Sequence, residues 1–259
     1  MQEYLPSITA NPSLANMSAA KRDLLEKYLR GDVKQQPNAS RTIAPRPPNA
    51  VRQLSFAQER LWFLDHLNPG SAVFNVPLAV RLSGPIEPRA LERSINEIVR
   101  RHDALRTTFV TVDGQAVPVS CSELKVSLRV IDLASCRAEE REARSYGLLG
   151  EEAGAPFDLT EGPLIRATLL RLDQEQHIFL VVMHHIVSDG WSLVLFFQEL
   201  SAIYDAFSRG EQSPLAGIPI QYADYAAWQR EWLQGELIEK QLSYWKKQLG
   251  GELPILELP

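Results

Sequence analysis

Two adjacent histidines, His184 and His185, are the residues whose type and position most directly allow acid–base chemistry in this sequence. They follow the apolar run 178–183, which predicts a buried strand because it is short and rich in β-branched and aromatic residues. Apolar residues then recur at helical spacing over 191–207, and Gly210 follows as a stop signal. The pair is therefore predicted to lie on a turn between a strand and a helix, where the N–H groups of the helix start are available to a ligand.

Alternation along the strand separates the two rings, because successive side chains point to opposite faces. His185 shares a face with Met183 and His184 shares one with Val182, so only one ring can face a given cavity. From the residues alone, His184 is better explained as a satisfied core residue than as a ligand. A metal site is not favoured, because a third ligand would have to converge with two rings that diverge.

Asp189 lies at the predicted start of the helix, where two interpretations are open. Its carboxylate can cap the first turn by accepting backbone N–H groups, or it can pair with a cation. The residues alone favour the cap.

The remaining pattern mixes helices and strands. Ser55 and Gln58 form a capping-box pattern before an apolar helix face. A second amphipathic helix carries Leu91, Ile95, Ile98 and Val99 and ends near Arg101 with cations in its last turn. Asp113-Gly114 predicts a two-residue hairpin between 107–112 and 115–119. With further strands near 126–131 and 164–170, the sequence predicts an α/β sandwich.

Composition limits the possible partners. The 259 residues are 45% hydrophobic and carry a net charge of −5, which argues against nucleic acid as a partner. No apolar run approaches the roughly 20 residues that a membrane helix needs. Cys121 and Cys136 give no disulfide framework, which is consistent with a reducing cytoplasm.

The first fifty residues differ from the rest. Residues 18–30 predict a short amphipathic helix, and the proline-bearing stretch 34–49 predicts an extended linker. A helix this short is marginal alone, so it must pack on the adjoining lobe or dock an upstream protein. We accordingly divide the chain at 1–50 and 51–259.

The string from His184 to Gly190, His-His-x-x-x-Asp-Gly, resembles the signature of nonribosomal peptide synthetase condensation domains, within the chloramphenicol acetyltransferase-like superfamily. Other segments resemble further motifs of that family in the same order along the chain, with Asp103 where glutamate is usual. These segments are Leu54–Leu64, Arg101–Phe109, Pro156–Leu159 with Gly162–Arg166, and Tyr222–Trp228. The resemblance covers about 53–259.

The resemblance implies a two-layer sandwich that forms the N-terminal lobe of a two-lobed domain, with most of the second lobe absent. It implies that His185 lies beside the acceptor amine, as general base or as a positioning group. The N–H groups at Gly190 and Trp191 become candidates for stabilising the oxyanion. His184 would be structural, and Asp189 would pair with Arg101, or alternatively with Arg106, to fix the turn.

The same resemblance implies the partners. Upstream donor and downstream acceptor carrier proteins would bring thioesters on phosphopantetheine arms, so the chain itself would bind no cofactor or metal. If Met1 is the true start, the donor would come from an upstream synthase that docks in trans. The alternatives are a coenzyme A-dependent acyltransferase, an epimerisation domain, or a non-catalytic carrier-docking fragment. The continuation 186–192 looks most like domains that join an L-configured donor to an L-acceptor.

Overall fold

The computed structural model describes residues 42–47, 50–252 and 256, so the helix expected over 18–30 lies outside the described residues. The elements are α1 (Phe56–Leu67), β1 (Asn75–Ser83), α2 (Pro88–Arg101), a 3₁₀ turn (Asp103–Arg106), β2 (Thr107–Val112), β3 (Gln115–Ser120), β4 (Leu128–Asp132), α3 (Ala138–Gly154), β5 (Ile165–Arg171), β6 (Gln176–His184), α4 (Gly190–Ser208), α5 (Tyr222–Trp232) and α6 (Glu236–Leu249). The predicted mixture of helices and strands is confirmed.

The main sheet has the strand order β1-β6-β5-β4. β6 is antiparallel to both neighbours, with Asn75 opposite His184 and Ile165 opposite Met183, and β4 runs parallel to β5. β6 is therefore central, which explains its continuous apolar sequence, because both of its faces are buried. β1 lies at one edge of this described sheet, and the sequence patterns did not reveal it.

A separate hairpin joins β2 and β3 as predicted. Asp113 and Gly114 both have positive φ, 50° and 76°, the backbone conformation that a tight two-residue hairpin requires. The backbone N–H of Phe109 donates to the carbonyl of Leu159 at 2.7 Å, which ties the hairpin to the segment before β5.

Helices α2 and α4 cover one face of the sheet. The residues predicted for the apolar face of α2 are all buried, and they pack with β6 and with the inner face of α4. The alternate residues of β6 on this face are Phe179, Val181 and Met183.

The opposite face is covered by α1, α3 and the hairpin. Leu180 and Val182 of β6 pack there with Leu61 and Phe109, while Ile178 lies in a neighbouring cluster near α3. The α/β sandwich is confirmed, with helices on both faces of the sheet.

The compact unit that contains the sheet begins at Ile43. Arg46 lies against the start of α5, where its backbone N–H and its Nε approach one carboxylate oxygen of Asp224 at 3.2 and 3.3 Å. Both side chains are largely buried. Arg46, within the proline-bearing stretch, is therefore anchored on the lobe.

Candidate active site

The turn between β6 and α4 separates the two histidines as alternation predicts. His184 is 1% exposed, whereas His185 is exposed to solvent. The carbonyl of His184 accepts the backbone N–H of Val187 at 3.1 Å and the hydroxyl of Ser188 at 3.2 Å. These bonds close the turn and direct the following residues toward α4.

His184 is a neutral core residue. The rings of Phe74 and Phe157 meet it edge-on at centroid distances of 6.1 and 6.2 Å. Burial, and secondarily the nearby His185, lowers the pKa of His184 to about 4. The N–H of Ile186 donates to its Nδ1 at 3.1 Å, which assigns the single proton of the neutral ring to Nε2. Nε2 is buried without a hydrogen-bond partner among the described residues.

His185 is held by its backbone and leaves its ring exposed. Its N–H donates to the carbonyl of Phe74 at 2.8 Å, which extends the β1–β6 ladder by one pair beyond the end of β6. A fixed backbone with an accessible imidazole suits a group that exchanges protons with a ligand or orients one.

Asp189 caps α4, which favours the first of the two interpretations of this residue. One carboxylate oxygen accepts the N–H of Ser192 at 2.8 Å and the hydroxyl of Ser192 at 2.6 Å. These hydrogen bonds hold the pKa of Asp189 below its usual value. The carboxylate is therefore ionised near neutral pH and sits at the positive end of the helix dipole.

The expected ion pair between Asp189 and Arg101 is not formed among the described residues, and neither is the alternative with Arg106. The Nε of Arg101 instead donates to Glu199 of α4 at 3.1 Å, and another guanidinium nitrogen donates to the carbonyl of Leu215 at 3.2 Å. α2 and α4 pack side by side, and Glu199 lies on α4 nearly three helical turns beyond Asp189, at the point where Arg101 meets that helix. The sequence alone could not predict the contact between Arg101 and Glu199.

Arg106 makes its contacts away from Asp189. Its guanidinium contacts the carboxylate of Asp103 and donates to the carbonyls of Val99 and Cys121. It thereby joins the end of α2 to the end of β3.

Gly190 begins α4 and is exposed. A Cβ placed on it would meet nothing within 4 Å, so the surrounding space is open on that side. The backbone N–H of Gly190 has no hydrogen-bond partner among the described residues, whereas Trp191 contributes a weak backbone hydrogen bond that lowers the pKa of Asp189. Of the two predicted oxyanion donors, Gly190 is the more available.

Sequence reasoning missed a role for Gln58. This buried side chain completes the predicted capping box with Ser55, and its Nε2 also donates to the carbonyl of Ile186 at 3.2 Å. Ser55 in turn shares a hydrogen bond of 2.9 Å with the hydroxyl of Tyr222, whose pKa is raised by burial. The start of α1 therefore supports the turn that carries the histidines.

Gln221, which precedes α5, was also missed. Its side chain accepts the N–H of Asp103 and donates to the carbonyl of Arg101, both at 3.0 Å. Four sequence segments that are far apart in the chain thus meet around one turn. The motifs themselves were recognised in the sequence, but periodicity alone could not show that they contact one another.

None of the described helices is both long and apolar enough to cross a membrane. Within the described part of the chain, no three His, Cys, Asp or Glu side chains are grouped so as to hold a metal ion.

Comparisons with solved structures agree with this architecture. The X-domain from teicoplanin biosynthesis superimposes with a TM-score of 0.72 at 28% identity, over 84% of this chain and 47% of that one. The SgcC5 protein from Streptomyces globisporus gives 0.67 at 32% identity, over 78% and 47%. This chain therefore spans about half of each of these structures.

Sequence relatives are segments of much larger synthetases. A linear gramicidin synthase polypeptide of Brevibacillus parabrevis is 50% identical over 86% of this chain, which corresponds to 3% of that protein. Malpinin synthetase of Mortierella alpina is 40% identical over 98% of this chain, again 3% of that protein. The sequence model of the condensation domain matches residues 49–259. The chain belongs to the condensation domain family.

Proposed function

We propose that this chain contributes to amide-bond formation between a carrier-bound acyl or peptidyl thioester and a carrier-bound aminoacyl thioester, in nonribosomal peptide biosynthesis. The observation that carries this proposal is the pairing of an exposed imidazole, His185, with the start of α4 one turn later. The family membership and the synthetase relatives support it.

In this reaction the acceptor amine attacks the donor carbonyl. A C–N bond forms, the C–S bond breaks, and the thiol remains on the arm that carried the donor. His185 takes the amine proton or holds the amine in position. Because an α-amino pKa is only about 8, much of the work is orientation of an amine that is already partly neutral.

Negative charge develops on the donor carbonyl oxygen during the attack. The N–H of Gly190 is the local donor for that charge, since the Ser192 N–H is already used by Asp189. The ionised Asp189 shares this helix start and reduces its attraction for an anion. Gly190 therefore acts as a directional hydrogen-bond donor and not through the dipole as a whole. Asp189 and His184 keep the turn in shape.

Both substrates arrive on carrier proteins, each through a phosphopantetheine arm, and the chain supplies no cofactor of its own. Residues 1–50 dock the upstream protein that delivers the donor. The 51–259 segment is the N-terminal lobe of the condensation domain, acting in the cytoplasm.

The experiment uses the complete protein that carries this chain, with both carriers loaded with defined thioesters. Intact-protein mass spectrometry should show the donor moving onto the acceptor arm as an amide. The matched arm offers the same acyl groups on coenzyme A. Transfer from coenzyme A alone would favour the soluble acyltransferase, and exchange at Cα in deuterium oxide without transfer would favour epimerisation. Binding of carriers without either reaction would indicate a docking fragment.

Deletion of residues 1–45 tests the docking role and keeps Arg46, which is anchored on the lobe. The shortened protein should keep its melting temperature and still condense small soluble donor thioesters, yet lose transfer from the upstream carrier protein. A large fall in melting temperature with both donors affected equally would show that the segment packs on the lobe instead.

A further inference from the structure

A small cavity lies beside the turn between β6 and α4. Its volume is about 160 Å³, and it lies between the end of α2, the start of α4 and the segment 218–222. We call it the α2–α4 cavity. Its apolar wall is formed by Leu105, Met183, Val187, Phe196, Ile218 and Ile220.

Most of the polar side chains at the cavity are engaged by the protein, including Ser192 with Asp189 and the Nε2 of His102 with Glu199. The amide of Gln221 makes its two hydrogen bonds to the backbone of Arg101 and Asp103, and the hydroxyl of Tyr222 bonds to Ser55. The hydroxyl of Ser188 donates to a carbonyl. A charged or strongly polar ligand group would lose its hydration there and find few free hydrogen-bonding groups in return. The cavity therefore suits an apolar group.

Its size sets the class of that group. An apolar protein cavity of about 150 Å³ holds one benzene molecule. The α2–α4 cavity therefore has room for one leucine-sized or phenylalanine-sized side chain, and a glycine or alanine substrate would leave it largely unfilled.

The cavity is within reach of His185. Ser188 lines it and lies three residues after His185, so their Cα atoms are at most about 11 Å apart. Met183, which also lines it, has the same parity as His185 and so points to the same side of the sheet. A substrate whose reacting atom lies at His185 can place its own side chain in the cavity.

We propose that the α2–α4 cavity binds the apolar side chain of one aminoacyl substrate and sets the preference of the domain for leucine-sized residues over glycine. This inference rests on the proposed function. The side chain can belong to the acceptor or to the donor, since both carry one next to the reacting groups.

Ile220 is the residue to change, because it lines the cavity from a loop and is only half-buried. Ile220→Trp fills the space and Ile220→Ala enlarges it. Ile131→Ala is the matched control, since Ile131 is also half-buried but lies on β4. In the complete protein, kcat/KM is measured for glycyl, leucyl and phenylalanyl acceptors with one donor, and then for the same residues as donors with one acceptor.

We expect Ile220→Trp to lower the leucyl-to-glycyl ratio about tenfold or more in one of the two series, which identifies the source of the side chain. Ile220→Ala should raise the phenylalanyl-to-leucyl ratio in that same series, and Ile131→Ala should change neither ratio. Ratios that are unchanged in both series, or that change equally in the control, would overturn the proposal.

A binding measurement separates this proposal from the proposed function. Calorimetry with stable leucyl and glycyl amides of pantetheine gives their dissociation constants for the wild type and for Ile220→Trp. If the wild type forms no amide at all, the proposed function fails, and this comparison alone decides the cavity. Leucyl binding at least tenfold tighter than glycyl, lost in Ile220→Trp, supports the cavity proposal, and equal binding overturns it.

Discussion

The two ends of β6 carry similar histidines in different settings. His177 near the start and His184 at the end are both buried, burial lowers the pKa of each, and each has one ring nitrogen without a partner among the described residues. Only at the second end does an exposed histidine follow, with a helix start five residues later. A buried histidine alone therefore does not mark a site, and the proposed role belongs to the exposed His185 that follows His184.

The two ends of β6 also border different cavities. One of about 370 Å³ lies near the start of β6 between β1 and α3. The α2–α4 cavity, of about 160 Å³, lies at the other end, where a more open groove is also lined by Val80 and Gly190. The cavity near the start of β6 is bordered by Arg81 and Glu142, an exposed ion pair with an N–O distance of 3.8 Å. Charges that are paired and hydrated offer little to a substrate, so this cavity offers less than its volume suggests.

The largest expected effect comes from comparing two ion pairs, the partly buried Arg101–Glu199 pair and the exposed Arg81–Glu142 pair. Arg101→Ala should lower the free energy of unfolding by up to about 3 kcal/mol, because it removes one partner of the partly buried Glu199 and leaves His102 at 3.0 Å. Arg81→Ala is the control, with about 1 kcal/mol or less expected, because its pair is exposed. Urea denaturation measures both.

A double-mutant cycle tests the assignment of this pair. Losses from Arg101→Ala and Glu199→Ala should be non-additive, whereas those from Arg101→Ala and Asp189→Ala should add. Strong coupling between Arg101 and Asp189 would restore the pairing that the sequence first suggested.

The pH dependence of stability tests the burial of His184. Its pKa of about 4 in the folded protein lies below the unfolded value near 6.5, so the unfolded chain binds the proton more tightly. This contribution is absent above about pH 6.5, and it lowers stability progressively as the pH falls toward 4, by up to about 3 kcal/mol. The difference between wild type and His184→Gln, measured by urea denaturation at each pH, should follow this course. A pH-independent difference would contradict the low pKa.

His185→Ala should reduce condensation about 10²-fold, within the range of acid–base effects, while the melting temperature stays near that of the wild type because the ring is exposed. His177→Gln is the matched change at the other end of β6, and it should lower stability without changing the rate at saturating substrate. Rates of dipeptide formation on the carrier distinguish the two. A folded, fully active His185→Ala protein would refute the proposed role.

The smallest expected effect comes from comparing two aspartates that accept backbone N–H groups, Asp189 at a helix start and Asp173 in a turn. Asp189→Ala should cost about 1 kcal/mol through loss of the cap, and Asp189→Asn should recover most of it, since asparagine caps equally well. Asp173, which accepts the N–H groups of Glu175 and Gln176 at 2.8 Å in the turn before β6, is the control. Both alanine variants should lose stability, but only the change at Asp189 should alter the condensation rate.

Local sequence patterns predicted the helices and strands whose signals lie within a few consecutive residues. The hairpin at Asp113-Gly114, the apolar face of α2 and the cap at Ser55 are of this kind, and all are confirmed. β1 escaped because Pro77 and Arg81 interrupt its apolar run. α3 escaped because its charged sequence buries only Ser145.

The partner of Arg101 could not be obtained in this way. Resemblance to a family indicates that a residue matters, but the choice between Asp189 and Glu199 depends on how α2 and α4 pack against each other. The same limit applies to Gln58, whose contact with Ile186 joins positions 128 residues apart. Such contacts depend on tertiary structure and leave no local pattern.

Within the part of the chain that the structure describes, no strand pairs with the outer edge of β1, and this affects the behaviour of the lobe at high concentration. Because His185 donates to the carbonyl of Phe74, the hydrogen-bonding groups of every second residue of β1 point toward β6. The backbone groups of Asn75, Pro77 and Ala79 therefore point away from β6, toward the outer edge. Proline has no N–H to offer there, so a second strand that approaches this edge meets a gap in the row of donors. Pro77 therefore disfavours pairing of a second strand with this edge. Pro77→Val should make purified samples aggregate at lower protein concentration, as turbidity measures.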